Sequence, residues 1–437
     1  MSQATNAATR SGLTVVALCF LTIVFDGYDL IVYGSALPSL LAEPGWHLGT
    51  AEAGAIGSYA LAGMLIGALG AGALTDALGR RRIMLTGITW FSALMILCAL
   101  APNPQLLGLL RFLAGVGLGG VVPSAIALTV EYAPRGRRQL YNALMFAGYS
   151  VGGVLAAVLA LALLTGHGWR PLFAIGAAPV LVVLPLAWRF LPESAGHLLA
   201  RGRTEQARRL AARYGLDLPG ERAGRTAAPG PRQLFRRGNL RATVLFGAAS
   251  FCGLLLVYGL NTWLPQIMRQ AGYPLGSALT FLLVLNIGAI AGTVAASLLA
   301  DRFGPKPVTV GAFVLAAGCL LVLSQRAGTG LLLVAVAVAG LGSVGTQILV
   351  NGYVAVHYPA RIRATALGWT LGVGRAGAIL GPLLAGWIFA AGFGFAWNFY
   401  AFAIPALAGA LLTALVPRAA AGAASAQTVH DTMVKES

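Results

Sequence analysis

Charge is what this sequence has least of. Only 10% of its 437 residues are charged and 13 are acidic, against 58% hydrophobic residues and a mean hydropathy of +0.79. A water-soluble fold of this length would not tolerate that balance, so most of the chain must lie in lipid. The alternating ~10-residue segments of a membrane β-barrel are also missing. The apolar runs are continuous for roughly 20 residues instead, long enough to cross ~30 Å of hydrocarbon as helices. Cysteine is scarce: Cys19, Cys98, Cys252 and Cys319 lie in apolar runs without metal-ligand spacing and read as small buried hydrophobes. No His/Cys/carboxylate cluster offers a metal site, and no Gly-x4-Gly-Lys-Ser/Thr loop offers a phosphate cradle, so ATP-driven chemistry, a metal and a cofactor are not expected. The "GVGLGG" run at 115–120 lies inside an apolar helix, where close helix packing explains it better than a nucleotide does. Nothing reads as an enzyme. A cleavable signal peptide is missing too: the first apolar run is too long and carries two aspartates, so it is expected to stay as helix 1.

What the chain does have is a series of twelve apolar runs, from 13–40 to 395–416, with the third at 83–101, the sixth at 170–190 and the ninth at 308–325. Its formal net charge of +17 raises the question of a nucleic-acid partner, which the placement of the cations answers. Apart from Arg111 and Arg375 inside spans and Arg170, Arg269 and Arg326 in odd-numbered loops, every Lys and Arg lies in a terminus, in a loop after an even-numbered helix, or, as Arg189 and Arg241 do, at the end of a span that borders such a loop. The positive-inside rule then puts both termini and the central loop in the cytoplasm of a bacterial inner membrane, and no nucleic acid is needed.

Residues 191–240 are the one long polar stretch between spans. They are expected to be a cytoplasmic linker, with an amphipathic helix at "TEQARRLAARYG" (204–215) on the inner leaflet, between bundles 1–190 and 241–416; a tail at 417–437 is expected to be disordered. The two halves repeat at a constant offset of 225 residues: Asp76 matches Asp301, Gly79 Gly304, Arg81 Lys306, Gly115 Gly340, Pro134 Pro359 and Arg138 Arg363. The expected fold is therefore an all-α membrane protein, twelve transmembrane helices in two duplicated six-helix bundles.

The loop after helix 2 reads "GALTDALGRRR", in which Gly72 allows close helix approach, Gly79 a tight turn, and Asp76 a pairing with cations of a facing helix. The second copy, "DRFGPK" at 301–306, keeps Asp301 but has Ser297 where Gly72 stands. Together with "RFLAGVGLGG" in helix 4 and "PESAGHLLARGR" after helix 6, these motifs resemble the signatures of major facilitator transporters from helix 1 to helix 12, which implies a substrate site between the halves near the midplane. More narrowly, "FDGYDLIVYG" (25–34), supported by "GLGGVVPSAIALTVEYAP" (117–134) and "GWTLGVGRAGAILGP" (368–382), resembles the aromatic acid:proton symporters, the benzoate and hydroxybenzoate permeases. That resemblance implies proton coupling or substrate handling for Asp26 and Asp29, a gate around Asp76, and transport roles for Glu131 and Arg375. Gly72, Arg80, Arg138 and Asp301 are the further gate candidates.

The residues themselves support parts of this. Asp26 and Asp29 share a face of helix 1 about a turn apart, at membrane depth, where a charge costs ~2.5–3.5 kcal/mol on insertion scales. Two carboxylates so close in low dielectric are not both cheaply ionised, which suits one of them to carry a proton; the bland reading is a structural pair. Arg375, beside Gly374 and Gly377, could grip a carboxylate through two parallel hydrogen bonds or form a salt bridge to Asp26 or Asp29. Arg111 could balance buried charge or touch substrate. Tyr33, Phe146, Tyr149, Tyr258, Trp263 and Trp369 could wall an aromatic ring, and Asn261, Asn286, Gln347 and Asn351 could supply hydrogen bonds. Trp263, near a helix end, also reads as an interfacial anchor, and His357 as a loop or gate residue or a proton relay. The functional expectation is uptake of a small aromatic carboxylate with a proton by a monomer; the alternative is a proton-coupled antiporter exporting a drug or metabolite. A channel or receptor would need a continuous pore or a sensing domain, and neither is apparent.

Overall fold

The computed structural model describes residues 2–134, 137–216, 233–325 and 327–417; the tail from 418 on and the middle of the linker, 217–232, lie outside the described residues. All regular elements among the described residues are helices, the form in which a lone segment satisfies its own backbone in lipid. α1 (Ser2–Leu41), α2 (Thr50–Leu78), α3 (Arg80–Ala99), α4 (Pro104–Tyr132) and α5 (Arg138–His167) each provide one crossing. The sixth crossing is broken, where the sequence suggested one helix over 170–190. α6 (Arg170–Ile175), a 3-10 turn (Ala178–Val180) and α7 (Val183–Phe190) share it, because Pro179 has no N–H with which to continue the ladder. The linker contributes α8 (Ala195–Ala200) and α9 (Thr204–Tyr214), and α9 turns Ala207 and Ala211 inward while Arg208, Arg209 and Arg213 stay exposed.

The second half runs α10 (Arg237–Gln270), α11 (Leu275–Phe303) and α12 (Pro305–Leu323). Its next crossing joins α13 (Thr329–Gly340) to α14 (Thr346–His357) through a π-helical turn (Leu341–Gly345), and α15 (Ala360–Ala390) and α16 (Phe395–Ala414) follow. Among the described residues, twelve helical spans are long and apolar enough to cross a membrane.

The duplication is visible in the packing. A methyl group at Gly115 would run into the carbonyl of Ala60, and one at Gly340 into that of Leu285; Gly63 meets Phe112 as Gly288 meets Ala337. Each set of partners keeps the sequence offset, as do Gly79 and Gly304, whose φ of 94° and 85° turns the chain between α2 and α3 and between α11 and α12. A side chain disfavours that conformation.

The two halves meet along α2–α15, α5–α11 and α1–α10. Gly54 lies against the Pro382 carbonyl and Gly386, Ser58 Oγ donates to the Ile379 carbonyl at 2.6 Å, and Gly34 abuts Asn261 and Thr262. These contacts all lie from the middle toward the arginine-poor end. On the other side, Gly368, Trp369, Leu371 and Gly372 of α15 are all exposed. The seam therefore opens toward the end that carries the arginine-rich loops.

Candidate functional site

α1 runs through the middle of the molecule and carries Asp26 and Asp29 into it, 5% and 0% exposed. The two have different surroundings. Arg111, on α4 of the same half, donates from Nη1 to Asp29 Oδ1 at 2.9 Å and to the Asp29 carbonyl at 3.3 Å. Its guanidinium lies 5.2 Å from the Tyr33 ring and 5.9 Å from the Phe173 ring. Tyr33 in turn donates its hydroxyl to the Ala53 carbonyl at 2.6 Å. Arg111 and Tyr33 are thus built into the first half, through the ion pair of Arg111 Nη1 with Asp29 and the hydrogen bond of the Tyr33 hydroxyl.

Asp26 has no ion-pair partner among the described residues, and its Oδ1 is buried without a hydrogen bond. Across the seam stands Arg375 of α15, half-buried, its Nη1 4.0 Å from Met64 Sδ. Its charge acts on Asp26 and on Tyr258 without reaching ion-pair distance to Asp26. Tyr258 of α10 meets Tyr149 of α5 edge to face, with ring centroids 6.1 Å apart, so this aromatic pair also bridges the halves. The molecule therefore brings together, from four helices and both halves, one free carboxylate, one arginine and two tyrosines. Met64 joins them with no signal in the sequence beyond its place in an apolar run.

The amides are farther along the second half and largely satisfy one another. Asn286 Nδ2 donates to Asn261 Oδ1 at 3.0 Å, and Asn261 Nδ2 to the Val257 carbonyl at 2.8 Å. Gln347 Nε2 donates to Ser250 Oγ at 3.0 Å and to Asn351 Oδ1 at 3.3 Å. Asn286 Oδ1 and Gln347 Oε1 keep no partner among the described residues and abut the backbones of Gly153 and Gly253. Trp369 lies apart from Asp26: its indole N–H is donated to the Thr243 carbonyl at 3.2 Å, and it lines a lateral groove with Val244, Gly247 and Val373. Trp263 is not the interfacial anchor that its position near a helix end suggested. It is fully buried, stacks on Phe389 at 4.8 Å and donates to the Pro382 carbonyl at 2.9 Å, bracing α10 against α15. His357 sits among Phe246, Tyr353 and Tyr358 at the arginine-rich end of α14.

The gate candidates divide. Arg80 pairs with Glu131 at 3.1 Å and also donates to Ser194 Oγ at 3.2 Å, while Glu131 accepts from the Gly196 N–H at 3.1 Å. Glu193 accepts from the backbone N–H of Arg81, and its carbonyl from the Tyr132 hydroxyl at 2.7 Å. This network ties the start of α3 and the end of α4 to α8. Glu193 and Ser194 were not singled out from the sequence, although the "PESAGHLLARGR" motif contains both. Arg138 and Asp301 are exposed. For Gly72 and Asp76 only the backbone of α2 is described; the Asp76 side chain lies outside the described residues.

Comparison with known proteins fits this architecture. The model of the Major Facilitator Superfamily matches residues 19–373 and 284–431. The chain is 38% identical to the "Benzoate transport protein" of Acinetobacter baylyi over 92% of its own length and 89% of that protein's. It is 39% identical to the "Gentisate transporter" of Corynebacterium glutamicum, over 93% and 88% respectively. Among solved structures, the xylose transporter XylE from E. coli in a partially occluded inward-open conformation superposes with a TM-score of 0.75 at 18% identity, covering 93% of this chain and 98% of that one, a likeness of fold alone. Twelve apolar crossings, a duplicated six-helix half and relatives this similar over nearly their whole length lead to one placement: the chain is a multi-pass inner-membrane transporter, not an enzyme, and belongs to the aromatic acid permeases of the Major Facilitator Superfamily.

Proposed function

We propose that this protein imports a small aromatic carboxylate together with a proton, by alternating access between bundles 1–190 and 241–416, as a monomer with both termini in the cytoplasm. The relatives named for benzoate and gentisate transport support the substrate class. One observation carries the mechanism: of the four charges deep inside the spans, away from the helix ends, Asp29 and Arg111 are already paired, so Asp26 and Arg375 remain, on opposite sides of the seam. An aromatic acid entering between Tyr149 and Tyr258 offers its carboxylate to Arg375, whose planar fork matches it. Asp26 then loses the counter-charge on which its ionised form depends, and an unpaired carboxylate at this depth is costly. Uptake of a proton by Asp26 removes that cost, so substrate and proton load together and the site keeps its charge balance. The empty seam and the fully loaded one are both neutral and can close and re-open on the other side, whereas a seam holding the acid without the proton would drag an uncompensated charge through lipid.

With the positive-inside orientation, the described conformation opens toward the cytoplasm, the state from which substrate leaves. Purified protein in liposomes, offered benzoate, gentisate, 4-hydroxybenzoate or non-aromatic acids, tests the reading. Uptake of an aromatic acid should alkalinise the external medium and stop when a protonophore is added. Uptake indifferent to the pH gradient would end the symport claim, and outward transport driven by proton entry would favour the antiporter.

A further inference from the structure

The duplicated halves differ at one place that transport across the seam does not require. On the lipid-facing side of the first half, α2, α3 and α4 enclose an apolar groove of about 420 Å³, floored by Gly70, Gly87 and Gly117 and walled by Ile66, Leu74 and Trp90. The floor and one wall differ at the equivalent positions of the second half, where Ala295, Ala312 and Leu315 replace Gly70, Gly87 and Trp90, and Ala312 packs against Gly342. Gly70 has no atom within 4 Å of where a Cβ would stand, so helix packing does not demand a glycine there. Trp90 is held as a fixed wall by its indole N–H, donated to the Leu113 carbonyl at 2.8 Å.

The groove has a charged foot. Of the three consecutive arginines that begin α3, Arg80 pairs with Glu131 and Arg81 donates to the Trp188 carbonyl at 2.6 Å, whereas Arg82 is exposed with no partner among the described residues. Arg82 immediately precedes Ile83, the first α3 residue to line the groove, and lies one turn before Thr86 and two before Trp90, at the edge of the groove-lining face. The second half has Pro307 at this position, so the open floor and an arginine without a partner among the described residues occur together in the first half, and neither stands at the equivalent positions of the second. From Arg82 to Trp90 the helix rises ~12 Å, most of one ~15 Å leaflet. We propose that this groove is a binding site for one anionic phospholipid, its phosphate on Arg82 and an acyl chain along the glycine floor. Charge complementarity selects the lipid: a zwitterionic headgroup has its own cation to place beside Arg82, and an anionic one has not.

The test uses the full-length transporter purified in mild detergent, delipidated, and titrated with dioleoyl-phosphatidylglycerol, dioleoyl-phosphatidylcholine or glycerol 3-phosphate, with bound lipid counted by native mass spectrometry. One phosphatidylglycerol should be retained about fivefold more strongly than phosphatidylcholine, the preference expected of one arginine near the surface. Arg82→Gln should remove the preference. Gly70→Leu should lower retention of both lipids by filling open space, and Ala295→Leu in the second half should leave retention unchanged. Equal retention of the two lipids, competition by glycerol 3-phosphate alone, or retention indifferent to Gly70→Leu would each overturn the proposal. Binding of aromatic acid to the same variants should be unaltered, which separates this site from the transport site.

Discussion

Asp26 and Asp29 are three residues apart on one helix, yet only Asp29 has a cation within hydrogen-bond distance. Removing one partner of a buried ion pair strands the other charge, at a cost of about 3–5 kcal/mol. Asp29→Asn is therefore expected to lower the thermal stability of the purified protein sharply, and Asp29→Leu combined with Arg111→Met to recover it. A normal melting profile for Asp29→Asn would show that the pair is not structural. Asp26→Asn is expected to fold normally, to bind substrate and to exchange internal for external acid, while failing to accumulate it, because exchange needs no net proton release. Full accumulation by Asp26→Asn would place the proton elsewhere. For Arg375, replacement by Lys keeps the charge but loses the fork, so affinity for benzoate should fall by ~1–3 kcal/mol, and Arg375→Ala should fall further. Normal affinity in a well-folded Arg375→Lys would exclude the clamp. That these residues mattered was legible from the cost of charge in lipid. Their pairing was not, because Arg111 stands 82 residues from Asp29 and no periodicity reports which helices touch.

At the scale of elements, helix lengths and hairpin turns follow from apolar run length and from Gly79 and Gly304, whereas two interruptions depend on surroundings. The break in the sixth crossing has a local cause in Pro179. The π-turn at Leu341–Gly345 has none: the corresponding stretch of α4 is regular helix. Closure at the arginine-poor end rests on glycine contacts between α2 and α15. A Cβ at Gly54 would stand 2.7 Å from the Pro382 carbonyl oxygen, so a leucine there should hold that end apart. A single cysteine placed at Thr262, buried beside Gly34 and Gly57, should then react faster with an impermeant maleimide added from outside in Gly54→Leu than in the parent. Equal labelling would mean that α2 and α15 do not form the closing contact.

For the whole molecule, the low charge, the twelve apolar runs and the constant repeat offset were enough to determine a duplicated helical membrane transporter, because lipid leaves a chain few options and gene duplication leaves its register in the sequence. Motifs along helix 1 and the loop after helix 2 carried the family. Tertiary structure alone decided which aspartate is free, which tyrosines face each other across the seam, that Trp263 is a brace and Trp369 a lateral residue, and which end of the seam is open. The physical reason is that a helix of given composition can turn any face toward any neighbour. Composition fixes how much polar surface must find a partner, and only the packing of distant helices fixes which partner it finds.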